Sequence, residues 1–252
     1  MPSTLLKPIF LAAALFSASA SNFAGELTVS AASSLTNAFN DIAQSYQKQY
    51  PDAKVALNFG ASGALLQQLA KGAPVDVIAF ADQETMDMAQ KQGLIAAGAR
   101  QDFARNALVL IEPQDSKLAL KRLDDLAQPG IQRVAIGNPA SVPVGRYSKH
   151  ALQAAKLWPV VEAKAISTQT VRQSLDYVVR GEVDAGFVYA TDAASMKDKV
   201  KIAFEVPLEM AITYPIAVIA GSANGAEARR FVAFVLAPAS QAILKLYGFR
   251  KP

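Results

Sequence analysis

Cysteine is absent from this chain of 252 residues, and histidine occurs once. Without cysteine there is no disulfide framework, no thiolate nucleophile and no cysteine-ligated metal centre. The acylated cysteine that could tether an exported protein through lipid is missing too. A lone histidine, His150, leaves a zinc site without a ligand set and a Ser-His-Asp triad with a single candidate base. Runs of basic residues interleaved with aromatics are also lacking. The formal net charge of +4 is spread along the chain, which weakly favours anionic ligands and does not argue for nucleic acid.

Long apolar runs are missing as well. The stretch Ile9 to Phe16 falls well short of the ~20 residues needed to cross a bilayer as a helix. With Lys7 before it and Ala18-Ser19-Ala20 after it, the stretch has the pattern of a cleavable secretory signal. Residues 1–20 are therefore expected to be removed, leaving a soluble protein outside the inner membrane, in a Gram-negative periplasm.

Beyond Glu26, short apolar runs alternate with amphipathic stretches, the pattern of an α/β fold with largely parallel sheets. Strands are predicted over Leu27–Ala31, Lys54–Phe59, Asp76–Phe80, Ala107–Ile111, Arg133–Ile136, Ala185–Tyr189 and Pro215–Ile219. Helices are predicted over Leu35–Gln49, Leu65–Ala70, Gln83–Gln92, Arg146–Lys156, Val171–Arg180, Ala226–Leu236 and Ala239–Tyr247. Leu35, Phe39, Ile42, Ala43 and Tyr46 recur at helical spacing, which gives the first helix one buried face. Periodicity leaves two topologies open. One is a single doubly wound sheet. The other is two lobes joined by a pair of crossing strands, Asn106–Ile111 and Tyr214–Ala220, with the last two helices returning to the first lobe.

Five stretches share one chemistry, in which hydroxyls and small residues stand where strands run into helix starts. They are Ser33-Ser34, Gly60-Ala61-Ser62-Gly63, Ser141-Val142-Pro143-Val144-Gly145, Thr168-Gln169-Thr170-Val171, and Tyr189 at the end of an apolar strand. Helix N-termini present unpaired N–H groups and the positive end of the dipole, so several of them together make a cage for an anion. Pro143 lacks an N–H and fixes the turn, leaving that of Val144 free. Each junction also has a plain structural reading: Ser34 and Ser62 as helix caps, Tyr189 as packing beneath a helix. The glycines of the second stretch let backbone come close to something. No Gly-Lys-Ser/Thr follows them, so this is not a nucleotide loop, and no Gly-x-Ser-x-Gly elbow presents a nucleophile. Asp124-Asp125 reads as a solvated helix face or cap. An exported serine hydrolase using Ser62 with His150 is the competing class of function.

In these residues the chain resembles the periplasmic molybdate-binding proteins that serve ABC-type importers. The likeness runs through Ala31-Ala32-Ser33-Ser34-Leu35-Thr36-Asn37-Ala38-Phe39, Gly72-Ala73-Pro74-Val75-Asp76, Val142-Pro143-Val144-Gly145-Arg146-Tyr147, Gly186-Phe187-Val188-Tyr189-Ala190-Thr191-Asp192 and Tyr247-Gly248-Phe249. It implies a two-lobe periplasmic binding protein fold of type II, with two crossover hinge strands and the ligand in the interlobe cleft. The boundaries expected are residues 21–105 and 218–252 for lobe I and 106–217 for lobe II. It also implies neutral donors for molybdate or tungstate: hydroxyl and N–H from Ser34 and Ser62, backbone N–H from Val144 and Val171, and the Tyr189 hydroxyl. Ser33 competes with Ser34 if the alignment slips by one residue. No cofactor, directly ligated metal or catalytic residue is implied. The expected partners are the oxyanion and the permease subunits of an importer, with the chain acting as a monomer.

Overall fold

The computed structural model describes residues 26–252, so the expected signal segment and its cleavage site lie outside the described residues. The chain forms two five-stranded sheets. The first half of lobe I runs β1 (Leu27–Ala32), α1 (Thr36–Gln49), β2 (Val55–Gly60), α2 (Ser62–Ala70), β3 (Val77–Ala79), α3 (Gln83–Lys91) and β4 (Gln101–Asn106). Lobe II follows with β5 (Leu108–Pro113), β6 (Val134–Gly137), α4 (Pro143–Ala154), α5 (Trp158–Glu162), β7 (Ala165–Thr168), α6 (Val171–Val179), β8 (Ala185–Tyr189), α7 (Ala190–Ser195) and β9 (Val200–Glu205). The chain then returns through β10 (Ile212–Val218), α8 (Gly225–Leu236) and α9 (Pro238–Leu246).

The strand orders are β2-β1-β3-β10-β4 and β7-β6-β8-β5-β9. In each sheet a parallel block, β2-β1-β3 or β7-β6-β8, is flanked by an antiparallel strand that enters directly from the other lobe, β10 or β5. The sheets are therefore mixed rather than largely parallel. A strand arriving straight across the hinge needs no crossover helix, so it runs against its neighbours. The same pairing moves the expected lobe boundary. β10 belongs to the first sheet throughout, so the return crossing lies in residues 206–211 and not at 217/218. The outward crossing is a single residue, Ala107, between β4 and β5.

β4, β7, β9, α5 and α7 escape the sequence pattern. β4 and β9 are edge strands with partly exposed residues, which blurs the alternation that marks a strand. The buried face of α1 comprises Ala38, Phe39, Ile42, Ala43 and Tyr46. Phe39 and Tyr46 pack edge-on to Phe231 of α8 at 6.5 and 5.2 Å, and Tyr247 donates to Asp41 at 2.6 Å. The last two helices thus return to lobe I. Leu65, Leu66 and Leu69 of α2 pack with Met86 and Ala89 of α3 on Ile78 and Phe80 in a separate apolar layer. Each such side chain, fully buried, contributes roughly 1.5–3 kcal/mol, and this holds the carboxyl ends of the strands rigidly in place.

Candidate functional site

Those carboxyl ends converge, as open α/β sheets require of a ligand site. A small cavity between the lobes is lined by Ala32, Ser33, Ser34, Gly60, Ala61, Ser62 and Ala81 from lobe I. Lobe II supplies Val142, Pro143, Val144, Val171 and Tyr189. All five residues singled out from the sequence, Ser34, Ser62, Val144, Val171 and Tyr189, share this one wall. Ser33 lines it too. No lining residue carries a charge.

Neither serine caps its helix. The turn at Ser33–Leu35 and helix α1 have no side-chain cap, and α2 begins after Ala61 with none. Ser34 Oγ instead shares a 3.0 Å hydrogen bond with the Tyr214 hydroxyl, and Ser62 Oγ accepts from the backbone N–H of Ala81 at 3.1 Å. An accepting hydroxyl keeps its own proton available. Among the hydroxyls of these junctions, that of Thr170 behaves as a cap, accepting from Gln173 N at 3.1 Å. It opens α6 immediately before Val171, whose N–H is one of the first-turn amides that a helix leaves unpaired. Val144 is the second residue of α4 and likewise lies in a first turn.

α4 can start here only because of two glycines. A Cβ on Gly145 would lie 1.8 Å from the carbonyl oxygen of Gly137, so helix and strand touch backbone to backbone. Tyr189 is 1% exposed and its hydroxyl has no protein partner. An unpartnered buried hydroxyl is uncommon and calls for a ligand or water. Its ring stands edge-on to Tyr214 at 5.8 Å, bringing lobe II against lobe I. Burial pushes both phenols well above the ordinary 10, so they remain neutral donors across the physiological range.

Several residues at the site carried no signal in the sequence. Tyr214 orients Ser34 from the crossing strand, and Asn106 Nδ2 donates to Tyr214 at 3.2 Å and to Thr191 at 2.8 Å, tying the hinge to α7. Asp192 is fully buried beside Arg172 at 2.7 Å, and burial pushes its carboxyl up to about 6 against the pull of that guanidinium. His150 is exposed and is not among the cavity's lining residues, so Ser62 has no base there. Asp125 does act as a cap, accepting from Lys121 N and Arg122 N at 2.8 and 3.1 Å.

Comparison with known proteins agrees with this geometry. Residues 27–250 match the family described as bacterial extracellular solute-binding protein. The chain is 36% identical over 251 residues to the molybdate-binding protein ModA of Escherichia coli K12, covering 96% of each chain. It is 35% identical over 232 residues to ModA of Mycobacterium tuberculosis H37Rv, covering 91% of this chain and 86% of the other. Among solved structures, the periplasmic molybdate-binding protein of Azotobacter vinelandii superposes with a TM-score of 0.79 at 25% identity, over 90% of this chain and all of the other.

Proposed function

Because this chain belongs to the bacterial extracellular solute-binding proteins, which bind substrate for ABC transporters and are not enzymes, we propose that it captures molybdate, and also tungstate, in the interlobe cleft. It then presents the anion to the permease subunits of an importer. The ligands would be Ser34, Ser62, Val144, Val171 and Tyr189. The observation that carries this reading is the small interlobe cavity, lined from both lobes by hydroxyls and first-turn amides, with no acid or base and one hydroxyl still unpartnered.

The chemistry suits a fully deprotonated dianion. About seven N–H and O–H donors can replace a water shell, at roughly 1.5–3 kcal/mol for each hydrogen bond to a charge. Hydrogenphosphate carries a proton that would need an acceptor, and the wall has no carboxylate to accept it. Sulfate matches molybdate in charge and has shorter bonds to oxygen, so its rejection would rest on cavity size. The proposed place of action is the periplasm, reached by cleavage of residues 1–20.

Elemental analysis of protein purified from periplasm, followed by competition calorimetry with molybdate, tungstate, sulfate and phosphate, tests the reading. Bound molybdenum, and displacement by tungstate but not by phosphate, is expected. Binding of sulfate in preference to molybdate would overturn it. Ester turnover that disappears in His150→Gln would instead favour a hydrolase.

A further inference from the structure

The stretch Tyr247-Gly248-Phe249 lies outside the anion cage and reaches it through one aromatic contact. Gly248, at φ +88°, ends α9 with the paired bonds of a Schellman turn: its N–H donates to Lys245 O at 3.0 Å, and that of Phe249 to Leu244 O at 3.1 Å. The turn brings the Phe249 ring inward, edge-on to Tyr214 at 5.4 Å. Arg250 then exchanges backbone bonds with Arg105 at 2.8 and 3.0 Å, which fixes the tail to β4 one residue before Asn106. Tyr214 needs such a seat. The register of β10 against β4 shifts between Tyr214 and Pro215, where proline has no N–H for the ladder, so strand pairing alone does not fix the aim of the ring.

The hydrogen bonds at Tyr214 have a direction. Asn106 Oδ1 accepts from Ala107 N at 2.9 Å, so Nδ2 is the atom that faces Tyr214 and Thr191, and it can only donate. Among the described residues the Tyr214 hydroxyl has two partners, Asn106 and Ser34. Having accepted from Asn106, it places its own proton only by donating to Ser34 Oγ, 3.0 Å away. Ser34 thus accepts from behind, and its proton is left for the cleft. All three residues are buried, where a proton without an acceptor is costly.

We propose that Tyr214 is a positioning residue for the anion: seated on Phe249 and supplied by Asn106, it holds Ser34 as a hydrogen-bond donor. A serine hydroxyl can donate or accept, and a dianion is served only by donation. A Ser34 that spent its proton on Tyr214 would present lone pairs to the ligand instead. Bonds in a chain also polarise one another, which strengthens the last donor. The proposal takes its ligand, and the ligand role of Ser34, from the oxyanion reading above.

Tyr214→Phe tests it, since the ring stays on Phe249 and only the relay is lost. Titration calorimetry should show molybdate bound about 2- to 12-fold more weakly, the worth of one ordinary hydrogen bond. The opposite direction of donation predicts the opposite sign, because Ser34 would regain its proton, so tighter binding overturns the proposal. In a Ser34→Ala background Tyr214→Phe should change affinity by less than about 2-fold. Phe249→Leu should likewise weaken binding in the parent and not in Ser34→Ala. Equal losses in both backgrounds would make Tyr214 and Phe249 packing residues and overturn the relay. Proton NMR of the ligand-free protein reads the relay without molybdate. The Tyr214 hydroxyl proton, shielded by complete burial, should give its own resonance and move upfield in Ser34→Ala, where its acceptor is gone. An unmoved resonance overturns the relay. A moved resonance in a parent that fails to bind molybdate keeps the relay and removes the ligand assignment.

Discussion

Tyr189→Phe separates a ligand role from a structural one because the two predict opposite signs. The side chain is 1% exposed and its hydroxyl has no protein partner, so the ligand-free fold gains nothing from that oxygen. A buried hydroxyl without a hydrogen bond costs about 1–3 kcal/mol, and phenylalanine removes that cost. Phenylalanine also keeps the edge-on packing against Tyr214 at 5.8 Å. The ligand-free melting temperature should therefore hold or rise. In the loaded protein the same oxygen donates to a buried charge, worth roughly 1.5–3 kcal/mol, so the dissociation constant for molybdate should rise about 10- to 150-fold. Titration calorimetry and scanning calorimetry on the same preparation give both numbers. Unchanged affinity would refute the reasoning, and a lower melting temperature with unchanged affinity would make Tyr189 a packing residue only.

Ser62→Ala should raise the dissociation constant for molybdate and lower the melting temperature, since it deletes an anion donor and orphans the Ala81 N–H from which Ser62 accepts at 3.1 Å; a loss of about 1–3 kcal/mol in unfolding free energy is expected by denaturant titration. Gly145→Ala puts a Cβ 1.8 Å from Gly137 O and should destabilise toward the upper end of the roughly 1–3 kcal/mol that overpacking costs, with weaker molybdate binding because the Val144 amide moves with the helix. Asp192 gives a pH signature. With its folded value at about 6 and its ordinary value at 3.8, the native state holds a proton the unfolded chain has lost, so its contribution to stability is present below about 4 and is lost as pH rises to about 6, on the order of 3 kcal/mol. The stability of the parent relative to Asp192→Asn, followed by melting from pH 4 to 8, should fall across that window and then stay flat. Intact mass of periplasmic material should correspond to a chain that begins at Ser21.

Local pattern alone identified the elements that carry a strong period: α1 through Phe39, Ile42 and Tyr46, α4 through its proline start, and β8 as an apolar run ending in Tyr189. It also marked the five junction stretches that meet at the cavity, because helix starts with free amides and small polar neighbours are written in consecutive residues; the family resemblance singled out Ser34, Ser62, Val144, Val171 and Tyr189 within them. What it left open was decided by contacts distant in sequence. That Ser34 is not a helix cap follows from its bond to Tyr214, 180 positions away, and that Ser62 is not one from its bond to Ala81. The lobe boundary depended on which sheet takes β10, since a strand's partner is chosen by the space between β3 and β4 and not by its own residues. An ion pair between the lobes, Arg146 Nε donating to Asp82 Oδ2 at 2.9 Å, was invisible for the same reason: 64 residues separate the two, and a charge buried by the meeting of two lobes looks in sequence like any solvated one.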